Sequence, residues 1–264
     1  MSLGAPSSAL RAWALALLVS LVLWNLPFGG LLLYPFKLLA TWLHELSHAA
    51  VMELTGVGFR RMVVHPDSSG LAYAASVAGP VARPLIAAAG YMGTPLVGGL
   101  LLVLTTSPTR ARALLLAMGA ALAFTAVWIL DNAFGRQAIG AIAAGFLLLG
   151  ALAPASLRVG VMQFVAAQAC VHALLDIRVL FRAKQVVGGK EAMSDAHTMA
   201  ASTLGSTEPW AVWLWAGLWL AWSLAVCFFA VQVASRTHGA RPGQWIAGEE
   251  LRSSSRSAQG SASR

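Results

Sequence analysis

Apolar residues run through this chain in long unbroken blocks, without the one-faced or alternating patterns of a soluble domain. The blocks are Ala12–Leu33, Leu38–Leu54, about Val77–Leu104, Ala113–Leu130, Ile139–Leu152, Val159–Phe181 and Trp210–Ala234. Most approach the roughly 17–25 residues that an α-helix needs to cross the hydrocarbon core of a bilayer. The pattern predicts an all-α polytopic membrane protein of about six to seven transmembrane helices. Arg11 precedes the first block as in a signal peptide, but no small-residue cleavage site follows, so this block is read as a membrane helix. The third block carries Gly79, Pro80, Pro84, Gly90, Gly93, Pro95, Gly98 and Gly99, which predict a broken or kinked helix. Irregular backbone at membrane depth survives only against protein or a wet cavity, so this segment is expected beside a site. Between Thr55 and Ala75, short alternating stretches flank the turn residues Pro66-Asp67-Ser68-Ser69-Gly70 and predict a small hairpin at the membrane face. Residues 236–264, rich in Ser, Arg and Gly, read as a disordered basic tail behind a membrane domain spanning residues 1–235.

Composition agrees with the pattern. Of 264 residues, 58% are hydrophobic and 11% charged, and the mean hydropathy is +0.71, which excludes an ordinary soluble domain. The net charge of +8 arises from 18 Lys and Arg against 10 Asp and Glu. Most of these cations sit between the apolar blocks and in the tail, where they suit the anionic headgroups of a lipid bilayer. No continuous basic face with interleaved aromatics is present, so nucleic acid is not an expected partner. Basic residues divide evenly between the two sides of the spans, and the positive-inside rule therefore sets no orientation. Cys170 and Cys227 both lie in apolar blocks and indicate neither a disulfide framework nor a thiolate metal site.

Against this background the stretch "LHELSHA", residues 43–49, stands out. An ionisable side chain at membrane depth costs on the order of 2.5–3.5 kcal/mol, so something must offset the burial of His44, Glu45 and His48 together. Residues four apart share a helix face, and His44 and His48 can aim their imidazoles at one point with Glu45 beside them. This is the H-E-x-x-H arrangement, in which two neutral imidazoles hold Zn²⁺ and the glutamate is the catalytic base. Coordination of the imidazole lone pairs supplies the missing free energy.

Two histidines and a water leave tetrahedral zinc one ligand short. Acidic residues within or bordering the spans are Glu53, Asp131 and Asp176. Glu53 lies too far along the helix of His44 to reach back. Asp176, deep in a span, is favoured as the third ligand over Asp131 at a span end, because a metal compensates a buried carboxylate best. His172, one turn before Asp176, is a supporting partner or an alternative ligand. Asn132 is a candidate donor to a developing oxyanion, or a helix cap.

"HELSHA", followed by "LTGVGFRRMVVHPDSSGLAY", "GYMGTPLVGGLLL", "DNAFG", "LLDIRVLF" and "MSDAHTMAASTLG", resembles the site-2-protease-like membrane metallopeptidases, in their compact bacterial and fungal branch. The resemblance covers roughly residues 15–230. It implies zinc on His44 and His48, Glu45 as catalytic base, and a third ligand from a later span, for which "LLDIR" with Asp176 is the nearest match. It also implies hydrolysis of peptide bonds in or near transmembrane segments of membrane protein substrates, by a multi-pass protein of a bacterial cell membrane. A transporter that conducts protons or metal through the His/Glu cluster is the rival reading, but the inverted repeats it calls for are not found. A non-catalytic scaffold is the other.

Overall fold

The structure is a computed structural model that describes residues 14–15, 18–20, 22–23, 25–181 and 185–238. The elements run α1 (Gly29–Leu54), β1 (Phe59–Val64), β2 (Gly70–Ala74), α2 (Ala82–Leu104), α3 (Pro108–Phe124), α4 (Ala133–Leu152), α5 (Ala155–Leu180), β3 (Gln185–Val187), β4 (Lys190–Ala192), α6 (Asp195–Leu204) and α7 (Pro209–His238). Five of them, α2 to α5 and α7, are long and apolar enough to cross a membrane. The chain is an all-α polytopic membrane protein with small hairpins, as its apolar blocks predict. Of the first block, residues 14–15, 18–20, 22–23 and 25–33 are described, the last five opening α1, and the tail lies outside the described residues except for residues 236–238, which end α7.

Two boundaries differ from the sequence reading. The break expected between Leu33 and Leu38 does not exist, because α1 runs through Pro35 as one helix of 26 residues. A proline this near the start removes one intrahelical hydrogen bond, and the following five turns carry the helix on. The glycine- and proline-rich block is likewise continuous over Ala82–Leu104, with Pro95 inside it. Its glycines serve close packing. A Cβ on Gly98 would press on Ala169 and the Cys170 sulfur, each at 3.0 Å, and one on Gly99 would reach Ala230 at 3.0 Å. Small residues thus let α2 pack directly on α5 and α7, while its other face meets α1.

The hairpin expected within residues 55–75 is present as β1 and β2, paired antiparallel from Phe59↔Ala74 to Val64↔Gly70. Its turn closes through His65 N–H donating to the Ser69 carbonyl at 2.8 Å, and the Asp67 carboxylate accepts from Ser69 N–H at 2.9 Å and Ser69 Oγ–H at 2.6 Å. Those two Ser69 donors outweigh burial and hold the Asp67 carboxyl below its ordinary value. Two α1 hydroxyls tie the turn down: Tyr34 donates to the Pro66 carbonyl at 2.7 Å and Thr41 to that of Ser68 at 2.6 Å. On the outer edge of β1, Asp131 N–H donates to Met62, and the Asn132 amide both donates to the Val64 carbonyl at 2.6 Å and accepts from its N–H at 3.2 Å. A single parallel bridge between Met62 and Leu130 joins these contacts, so residues 130–132 lock the outer edge of the hairpin in place.

Candidate metal centre

The site begins on one face of α1. Lys37, Thr41, His44, Glu45, His48 and Met52 follow the helical repeat and line a cavity of about 830 Å³. Other walls come from β2, the start of α2, the end of α5 and α6. Each wall is brought in by a specific packing need. Gly70 opens β2 directly above the base, since a Cβ there would meet Glu45 Cγ at 2.7 Å and Thr41 Cγ2 at 2.8 Å. Ala72, two residues on, lines the same cavity as Glu45. On α2, a Cβ on Gly90 would overlap the His44 ring and one on Gly93 would overlap Ser47, so both positions must be bare for α2 to lie against the motif. Adjoining Gly90, the Thr94 hydroxyl donates to its carbonyl at 2.9 Å.

His48 is held in one tautomer. Its Nδ1–H donates to the Ile86 carbonyl of α2 at 2.6 Å, which leaves the Nε2 lone pair facing the cavity. His44 sits edge-on to it, ring centroids 4.7 Å apart. The third member is Asp195, whose Oδ2 lies 3.1 Å from His44 Nε2 and 3.3 Å from His48 Nε2. One donor atom from each of the three falls within 4.8 Å of the others. Two imidazole nitrogens and one carboxylate oxygen, with cavity on the open side, are a donor set of the kind catalytic zinc takes. Burial works to raise the Asp195 carboxyl, and the adjoining His48 and His44 rings outweigh it, holding the group well below the usual carboxylate range.

Asp195 is where the structure corrects the sequence reading. Asp176, the favoured third ligand, lines the same cavity with His172 one turn before it, but neither joins the cluster. Asp131 is farther removed: it pairs with Arg61 on the hairpin's outer side, where the Arg61 guanidinium also covers Tyr73 at 4.4 Å. Asn132 is spent on Val64, and its side chain makes no cap bond to α4. Glu53 accepts from Phe59 N–H at 2.8 Å and fixes the entry to β1.

Asp195 lies outside the apolar spans, where burial cost makes an acid conspicuous, and opens a ten-residue helix between them. The signal available was Ser194-Asp195, an N-cap residue followed by an acid in the first turn. Ser194 Oγ indeed accepts from His197 N–H at 3.3 Å. The buried stripe Ala196, Met199 and Ala200 then packs α6 against Ala87, Ala88 and Tyr91 of α2 and against α7, which carries Asp195 to the histidines. Just upstream, Gly188 N–H donates to Ser69 Oγ at 3.0 Å, so the β3–β4 hairpin rests on the turn of the first hairpin.

Gly90 gives a direct test of this packing. Gly90→Ala should lower zinc occupancy and cost on the order of 1–3 kcal/mol of stability through overpacking, whereas Gly145→Ala on α4, where a Cβ meets nothing within 4 Å, should change neither. Metal analysis and thermal denaturation of the two variants side by side check it.

A family model described as Peptidase M50B-like matches residues 12–230 of the chain. Neither the curated proteins nor the solved structures gave a match.

Proposed function

The chain belongs to the Peptidase M50B-like family, the site-2-protease group, and from that membership and its His/Asp cluster we propose that it is an intramembrane zinc metalloendopeptidase. Its substrates are other membrane proteins, cut in or near their transmembrane segments. The observation that carries the reading is the convergence of His44, His48 and Asp195 on one point, with Glu45 beside them on the same helix.

The three side chains hold the metal, His48 oriented by Ile86 and Asp195 supplying the anionic ligand. Zinc, when bound there, supplies a Lewis acid that polarises a carbonyl and brings the pKa of water toward about 7. Glu45 takes the proton of the attacking water and passes it to the departing amine. Among the described residues β2 is paired along one edge, to β1, and it lines the cavity from Gly70 to Ala72. An extended peptide can add to that strand. A transmembrane helix presents no free backbone until it unwinds, so helix-breaking residues near the cleaved bond favour cleavage.

Purified protein should hold about one zinc per chain, because the cluster offers one site. The double variant His44→Ala, His48→Ala should lose it. Zinc retained at the wild-type level in that variant, measured by elemental analysis, overturns the assignment.

A further inference from the structure

One polar side chain in the cavity wall has no part in the scheme above. Tyr91 of α2 is only 6% exposed and lines the cavity. Its ring is fixed from two directions: edge-on to His44 with centroids 4.7 Å apart at 87°, and stacked on Trp219 of α7 at 5.0 Å and 8°. The backbone beneath it is equally constrained, since the adjoining Gly90 presses α2 onto the His44 ring. The phenol shares that cavity wall with Glu45, Asp176 and Asp195. Among the described residues no hydrogen bond to the Tyr91 hydroxyl is seen, and it is not one of the fully buried polar atoms left without a partner, so it is open to the cavity.

We propose that Tyr91 is a catalytic residue of this site, its hydroxyl donating to the oxygen of the scissile carbonyl as that oxygen gains charge. The inference rests on the peptidase reading. When the water oxygen bonds to the carbonyl carbon, the carbonyl π pair moves to its oxygen, which accepts from the Tyr91 O–H. The water proton goes to Glu45 and then to the leaving nitrogen as the C–N bond breaks and the carbonyl re-forms. A donor already clamped between His44 and Trp219 needs no reorganisation at that moment, which is what makes such a group effective in a water-poor cavity. Packing alone does not account for the residue, because a phenylalanine would make the same edge contact and the same stack.

Tyr91→Phe separates the two roles. The probes are a phosphinic tri-leucine pseudopeptide, which carries oxygens where the tetrahedral oxyanion forms, and a mercaptoacyl tri-leucine analogue, which engages the metal through sulfur and carries none. Binding of each to detergent-solubilised full-length protein is measured by calorimetry. Tyr91→Phe should weaken the phosphinate about 100-fold and leave the thiol within about twofold. Zinc content should not change, and the thermal midpoint should hold or rise, since the lost hydroxyl leaves no partner behind. Phosphinate affinity within about threefold of wild type overturns the inference and leaves the peptidase reading standing. Parallel loss of both probes, or loss of zinc, also overturns it, by showing a structural role. Wild-type protein that carries zinc but binds neither probe counts against the peptidase reading itself and removes the inference with it.

Discussion

Glu45→Gln should reduce hydrolysis by about 10³-fold in a protein that still folds and still carries its zinc. The amide keeps the shape of the carboxylate. It also relieves the cost of a buried charge, so stability should hold or rise slightly. What it cannot do is accept the proton of the attacking water. The cleanest measurement pairs a cleavage assay on a membrane-embedded peptide with elemental analysis of the same preparation. Unchanged turnover with unchanged zinc would place the chemistry elsewhere and favour a scaffold or transport role for the cluster.

The parts of this site that the sequence revealed are those where local spacing and burial cost act together. His44, Glu45 and His48 are legible because a four-residue spacing on a helix is geometry in itself, and because burying them uncompensated is expensive. The Pro66–Gly70 turn is legible for a similar reason, its residue types being those the turn conformation selects, with Ser68 at φ +66°. Contacts between distant segments were not legible. The glycines of α2 read as helix breakers, yet Gly90 and Gly93 are bare because α1 lies against them. In a bilayer, neighbouring helices decide whether a glycine breaks a helix or packs one. Asn132 read as an oxyanion donor or a cap, and only the placement of β1 shows that its amide completes a strand edge. Asp195 is the sharpest case, because its role depends on a short helix folding back between spans, which no periodicity along the chain encodes.

That misplacement makes the third ligand the most informative position to mutate. Asp195→Asn should lower zinc affinity by about 100-fold or more, since even partners outside the ligand shell typically cost 10–100-fold when removed. A neutral amide oxygen is a poor ligand, and two imidazoles alone leave the ion under-coordinated. α6 carries no second carboxylate to replace the lost one. Asp176→Asn should cost at most about tenfold, as an outer carboxylate whose charge is felt across the cavity without direct contact. Competition against a chelator of known affinity, with both variants at one pH, reads the difference. If Asp176→Asn loses zinc and Asp195→Asn keeps it, the ligand lies on α5 after all. The contact of Asp195 with the two imidazole nitrogens would then be an ion pair formed in the metal-free protein. If Asp195→Asn alone loses zinc, the α6 helix is part of the metal centre. The β3–β4 hairpin, which connects it to Ser69 through Gly188, then links the metal to the turn above the catalytic glutamate.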